Sequence, residues 1–177
     1  MSFAVWITGL PASGKSTITS VLRPKIEKMG LPVEVLESDS VRRMLTPTPT
    51  YSPEERDLFY RALAVMGSRL VAHGVVVVFD ATATRRAYRD FARSLIDRFV
   101  EVAVECPLGI CMARDRKGTY AKGMAGHSMT VPGLQDPYEA PISPDLRIDS
   151  IRTPASEAAD SIIAMLADKR LILPPTK

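Results

Sequence analysis

Short, uniformly apolar runs alternate along this chain with longer stretches whose apolar residues recur every three or four positions. The runs FAVWIT (3–8), PVEVLE (32–37), VVVVFD (75–80), FVEVAVE (99–105) and LRID (146–149) predict five strands. Val75 to Phe79 is apolar without a break, the pattern of a strand covered on both faces. Helical spacing is predicted over 15–29, 40–45, 53–73, 85–98, 108–115 and 154–170. Gly30 and Gly74 stand where helices should stop. Thr153 and Pro154 predict an N-cap and a first-turn proline for the last helix. Pro24 predicts a kink or short break in the first. Strands alternating with helices imply an α/β, three-layer fold around a parallel sheet of about five strands, joined by right-handed crossovers. No internal repeat or linker interrupts the pattern, so residues 1–177 are expected to form one domain.

One segment departs from the alternation. Residues 116–145, RKGTYAKGMAGHSMTVPGLQDPYEAPISPD, are rich in glycine and proline and show no clear period. A structureless stretch of that length in a compact domain is disordered or functional. Its basic and aromatic residues suit a ligand better than bulk water, and a mobile lid is expected.

Composition narrows the class. The 177 residues are 46% hydrophobic, enough for one real core, and carry a formal net charge of +3. That charge is too small for a nucleic-acid-coating protein, though an excess of arginine around a phosphate site would explain it. The two cysteines, Cys106 and Cys111, match no zinc spacing and cannot form a disulfide framework. Both are expected to be buried, unreactive thiols of a reducing cytoplasm. No run approaches the roughly 20 apolar residues of a membrane span, and no leader is evident.

The strongest chemical signal is GLPASGKST. Gly9, Leu10, Pro11, Ala12, Ser13, Gly14, Lys15 and Ser16 satisfy G-x-x-x-x-G-K-[ST], with Thr17 following, between a predicted strand and a predicted helix. The glycines let successive backbone N–H groups converge on phosphate oxygens where a Cβ would block the approach. Lys15 neutralises the β and γ phosphates, Ser16 can ligate Mg²⁺, and the helix N-terminus adds its dipole. The loop is therefore built for the phosphates of ATP or GTP. N-K-x-D is absent, and the D-x-x-G letters at Asp115–Gly118 follow a helical stretch rather than a strand, which argues against a GTPase. A small P-loop chain with a long basic lid suggests a kinase acting on a small molecule.

Three further groups fit a kinase and also have plainer readings. Glu37 and Asp39 end the second strand, where a crevice is expected; one could orient Mg²⁺ or take a proton, or Asp39 and Ser40 could simply cap a helix. Asp80 ends VVVVFD as a Walker B carboxylate does, or as an ordinary strand-end residue. Arg85, Arg86, Arg89 and Arg93 recur at helical spacing, either as a solvated face or with one of them on a phosphate.

Taken together, the P-loop, ESDSVRR, YSPEERDLFYR, CPLGICMARDRKGTYAKGMAG and PGLQDPYEAPISPDLRID resemble the adenylylsulfate (APS) kinases from Phe3 to about Leu171. The string R-D-x-K-G-x-Y followed by D-P-Y-E-A-P is the most specific part. That family moves the γ-phosphate of ATP to the 3′-hydroxyl of APS to give PAPS, in sulfate activation. The resemblance implies a P-loop nucleotide-kinase-like fold, ATP and Mg²⁺ as cofactors, and APS as substrate. It implies that Asp39 and Arg42 contact APS, that Tyr51 stacks on its adenine, and that Arg56 and Arg61 grip its anionic part. Thr82, Lys117 and Val131 fall with the acceptor and Arg114 with ATP. Lys15, Asp39 and Asp80 are the expected catalytic groups, with Ser16 and Asp80 at the metal. The family's common dimers imply a homodimer.

The sequence also departs from the family's pattern. Glu37 stands for an aspartate, Phe59 for an asparagine, and ATATRR (81–86) for F-I-S-P-Y-R, so that Ala83 replaces a serine. The stretch DATATRR looks more like that of other small-molecule P-loop kinases. A kinase for another anionic metabolite is therefore the alternative acceptor reading. A nucleotide-sensing module without catalysis is the alternative class, against which Lys15, Ser16, Asp39 and Asp80 speak.

Overall fold

Every second residue of the first strand faces a different set of helices, and this alternation builds the three layers. The computed structural model describes residues 2–173. In β1 (Ala4–Thr8), Val5 and Ile7 pack with α1 (Lys15–Glu27) and α7 (Ala155–Asp168), through Ile18, Leu22, Ile26, Ile162 and Leu166. Ala4 and Trp6 face the other way, onto α3 (Pro53–Ala72) and α4 (Arg86–Leu95), through Phe59, Leu63 and Ala92. All five residues of β1 are buried, as a central strand between two helical layers should be.

The sheet is parallel throughout, in the order β2 (Val33–Glu37), β3 (Val76–Asp80), β1, β4 (Phe99–Glu105), β5 (Leu146–Asp149). These spans match the apolar runs to within a residue. Trp6 stacks on Phe79 across β1 and β3 with centroids 4.5 Å apart, and its indole N–H donates to the Ala81 carbonyl at 3.0 Å. Gly67 of α3 lies so close to that pair that a Cβ would collide with Phe79 Cζ, so a glycine is needed for the helix to sit down on β3.

Several helix limits differ from the periodicity. The short helix after β2 is α2 (Ser38–Leu45), two residues longer at its start, with Glu37 in the N-cap position. Asp39 therefore lies in the first turn and is not the cap; Ser40 donates to Glu37 Oε2 at 2.5 Å instead. Arg86–Leu95 and α5 (Leu108–Ala113) both stop short of the predicted ends. The last helix begins at Ala155 with Pro154 in the N-cap position, so Thr153 does not cap it. The helix α1 runs through Pro24 to Glu27 without the short break its proline predicted. The ring sits in the last turn and costs the one bond its missing N–H would have made to the Ser20 carbonyl.

Residues 116–145 are not structureless. They hold α6 (Thr119–Met124), whose free N–H groups at Thr119, Tyr120 and Ala121 donate to the Asp115 carboxylate at 2.7–3.1 Å. The D-x-x-G letters at Asp115 thus serve as a helix cap. Buried Tyr120 and Val131 join Cys111, Leu10 and Ala12 in a third apolar cluster, which fastens this segment to the first loop.

Candidate active site

Parallel register sets the carboxylates beside the phosphate loop. Asp80, the last residue of β3, pairs with Ile7 of β1 on one side and Glu37 of β2 on the other. The loop leaving β1 therefore passes over Asp80, and Glu37 and Asp39 stand at the neighbouring strand end. Gly9 must be glycine, since a Cβ there would lie 2.5 Å from the Val104 carbonyl. Gly14 takes φ 108° at the N-cap of α1, a conformation that turns the loop's N–H groups inward.

Lys15 is buried, and its Nζ donates to the carbonyls of Gly9 at 3.0 Å and Leu10 at 2.9 Å. Burial pushes its pKa down, while Asp80 and then Asp39 oppose the fall. Asp80 is buried as well, and burial pushes its carboxyl up; Lys15 and the nearby Ser16 hydroxyl act against the rise. Two desolvated groups, each acting on the other's charge, therefore line the cleft together.

The opposite wall comes from α2, α3 and the loop between them. Arg42 is buried, donates to Glu55 Oε1 at 3.1 Å and lies over the Phe59 ring, 3.8 Å from its centroid. Tyr51 takes φ 56°, unusual for a bulky residue, and its ring lies 5.1 Å from the Arg42 guanidinium and 5.8 Å from that of Arg56. Arg56 donates to Asp136 Oδ2 and, at 2.7 Å, to the Thr130 carbonyl, so it ties α3 to the segment after α6. Lys117 reaches across from the α5–α6 turn to Asp39 at 2.8 Å and Glu37 at 3.3 Å, and the bond to Asp39 raises its pKa.

Lys15, Asp80, Glu37, Arg42 and Lys117 line one cleft of ≈1550 Å³. A site for one drug-sized ligand spans about 300–1,000 Å³, so this one suits two substrates end to end. Pro11, Ala12, Gly14, Lys15, Ser16 and Thr17 lie at one end with Arg114; Asp39, Arg42, Tyr51, Arg56, Thr82, Lys117 and Val131 complete the rest. Gly9, Leu10 and Ser13 shape the loop from behind and do not line the cleft.

Two expectations fail on geometry. Arg61 does not line the cleft: it is exposed on the far side of α3, its guanidinium 4.2 Å from the Phe91 ring. The arginine stripe of α4 meets no phosphate site and is not a solvated face throughout. Arg89 is 1% exposed, donates to Glu101 at 2.6 Å and holds the carbonyls of Ala83 and Glu139. Breaking such a buried pair costs about 3–5 kcal/mol, which gives it a structural role. The cysteines also differ from one another. Cys111 is buried, with burial pushing its thiol up to about 12, whereas Cys106 is half-buried with the Arg114 guanidinium 3.9 Å away.

Sequence reading overlooked the loop at 46–50, whose Thr46, Pro47, Pro49 and Thr50 line the cleft, and Glu55, which anchors Arg42. The Pro/Thr alternation in LTPTPT was the available signal for a shaped loop. Ala83 is fully buried at φ 46° and outside the cleft, while Thr82 and Thr84 on either side line it.

The sequence profile of the adenylylsulphate kinase family matches residues 1–149. A probable adenylyl-sulfate kinase of Archaeoglobus fulgidus is 41% identical over 150 residues, 85% of this chain and 97% of that protein. The adenylyl-sulfate kinase of Gloeothece citriformis is 39% identical over 162 residues, 92% of this chain and 90% of its own. Among solved structures, the Mycobacterium tuberculosis APS kinase CysC in complex with AMPPNP and APS superposes with a TM-score of 0.87 at 32% identity, covering 93% of this chain and 97% of that one.

Proposed function

The chain belongs to the adenylylsulphate kinase family, and from that membership we propose that it transfers the γ-phosphate of ATP to the 3′-hydroxyl of adenylyl sulfate, giving PAPS. The observation that carries this reading is the continuity of the cleft. A single cavity runs from Gly14, Lys15 and Ser16 to Asp39, Arg42, Tyr51 and Arg56, so donor and acceptor can meet in one space. Direct transfer needs that proximity, and closure of residues 116–145 would exclude competing water.

Each wall has a part in this scheme. The loop N–H groups and Lys15 hold the β and γ phosphates, with Arg114 on the nucleotide side. The Tyr51 ring offers a stacking face for the acceptor's base, and Arg42 and Arg56 neutralise its anion. Asp39 accepts or orients the proton of the attacking hydroxyl, and Lys117 and Val131 close over it.

The residues fit Mg²⁺. The Ser16 hydroxyl and the Asp80 carboxyl are hard oxygen donors, and burial leaves Asp80 in need of a cation. Mg²⁺ needs few protein ligands, since it usually keeps several waters and takes substrate phosphate oxygens. When bound, Mg²⁺ would neutralise charge on the transferring phosphoryl group. The resemblance further leads us to propose a cytoplasmic homodimer, which light scattering and fractionation would test.

A coupled assay of ADP release tests the reaction. Turnover with APS is expected. Turnover only with another anionic metabolite would overturn the acceptor, and none with any acceptor would overturn the kinase.

A further inference from the structure

We propose that Phe59, which does not itself line the cleft, is a positioning residue for Arg42 and thereby sets how tightly the acceptor's anion is held. The inference rests on the reading above, in which Arg42 belongs to the acceptor side.

The guanidinium of Arg42 has one face on Phe59, at 3.8 Å from the centroid, and the Tyr51 ring at 5.1 Å. Nη1 donates to Glu55, which is itself fixed by the Thr50 N–H at 2.6 Å and hydroxyl at 2.5 Å. Among the described residues, Nε and Nη2 have no hydrogen-bond partner. Neither is among the buried polar atoms left unpaired, so these N–H groups open into the cleft that Arg42 lines. Phe59 is 2% exposed and does not line the cleft. Its ring therefore acts on the site through Arg42.

The physical effect is preorganisation. An arginine gripping an anion must give up the freedom of a long side chain, and that loss subtracts from affinity. A ring beneath the guanidinium fixes its plane by charge–quadrupole attraction, yet takes none of its N–H groups. A leucine would fill much of the same space without that attraction. The ring thus holds the neighbouring cation ready.

The test compares wild type, Phe59→Leu and Phe59→Tyr. Michaelis constants for APS and ATP are measured by ADP release. The Arg42 Nε–H resonance is followed by NMR and assigned by its loss in Arg42→Lys. The Arg42 signal should be shifted upfield by ring current in wild type and Phe59→Tyr but not in Phe59→Leu. The KM for APS should rise roughly 5- to 30-fold in Phe59→Leu and recover in Phe59→Tyr. The KM for ATP should stay within about twofold.

If wild type turns over APS but Phe59→Leu leaves its KM unchanged, or raises both constants equally, this inference alone is overturned. A wild type that turns over no APS removes the reading beneath it, and the inference with it. Should Phe59→Leu fail to fold, the wild-type resonance decides: an upfield shift supports the stacked geometry, and a random-coil position overturns it.

Discussion

The Lys117 ammonium lies 2.8 Å from Oδ2 of Asp39, so a cation from the segment above the cleft is bonded to the carboxylate at the end of β2. Any hydroxyl that uses Asp39 as proton acceptor must approach it beside this lysine. Asp39→Asn should lower kcat at least ~100-fold, the usual scale for a positioned acid–base group. Lys117→Ala should instead raise the KM for the acceptor. An Asp39→Asn enzyme within about tenfold of wild type in steady-state assays would remove Asp39 from the chemistry.

Lys15→Ala and Ser16→Ala should abolish turnover with the far-ultraviolet circular dichroism spectrum unchanged, because both act on charge rather than packing. Retention of more than about a tenth of wild-type activity in Lys15→Ala would count against the phosphate-loop role.

The same buried charges set a pH dependence of stability. Asp80 has a folded value above its ordinary 3.8, so its contribution is full below that pH and is lost as pH rises through the folded value. Lys15 has a folded value below its ordinary 10.5, so its contribution is full above that pH and is lost as pH falls through the folded value. Near neutrality both groups oppose folding. A Lys15→Met/Asp80→Asn double variant should therefore melt about 2–4 °C higher than wild type at pH 7 without ligands, while losing activity. A lower melting temperature in differential scanning fluorimetry would contradict this.

Arg56 bridges α3 to Thr130 and Asp136 and lines the cleft, at the end proposed for the acceptor. Its loss should damage acceptor use far more than ATP use, by ~2–4 kcal/mol or roughly 30- to 1,000-fold. Equal changes in both Michaelis constants of Arg56→Ala would sink the assignment. Amide exchange over 128–136 should also quicken.

The enzyme incubated with γ-labelled ATP and no acceptor should form no stable phosphoprotein. The residue at 83 has no hydroxyl and is buried outside the cleft, which leaves Thr82 and Thr84 as the neighbouring hydroxyls that reach it. Stoichiometric label on either threonine that chases into product would show a covalent route.

At pH 8, iodoacetamide should modify Cys106 in the native protein and leave Cys111 untouched. Burial pushes the Cys111 thiol up, so at that pH less of it is thiolate than of an ordinary cysteine, and the group is out of reach of the reagent as well. Peptide mass spectrometry before and after denaturation checks the order.

Strands and phosphate loop were legible because each obeys a local rule. A central parallel strand is apolar on both faces, and the Gly9–Ser16 spacing follows from how backbone amides converge on an anion. Arg61 and Arg89 were not legible, since helical spacing shows which residues share a face but not what that face meets. Arg61 turns to Phe91, while Arg89 turns inward to a glutamate on β4. The segment 116–145 misled for a related reason. Its short helix is capped by a carboxylate that lies before it, and its apolar contacts include residues more than a hundred positions away, such as Leu10. Phe59 was visible as a departure, but only the packing shows that it meets Arg42 rather than the ligand.

The strand order carries a consequence for how the chain is made. Of the five strands described, the one made first ends in the middle of the sheet: Ala4 awaits Val77 on one side and Phe99 on the other. Until both have been synthesised, an apolar strand with two unsatisfied edges is exposed, and the loop that follows it has no floor. Loop closures this long are slow to form, so nascent chains cut before about residue 105 should be the species that chaperones hold and proteases clear. A substitution that weakens β3 or β4 would then lower the yield of protein in the cell before it altered a single rate constant of the protein that survives.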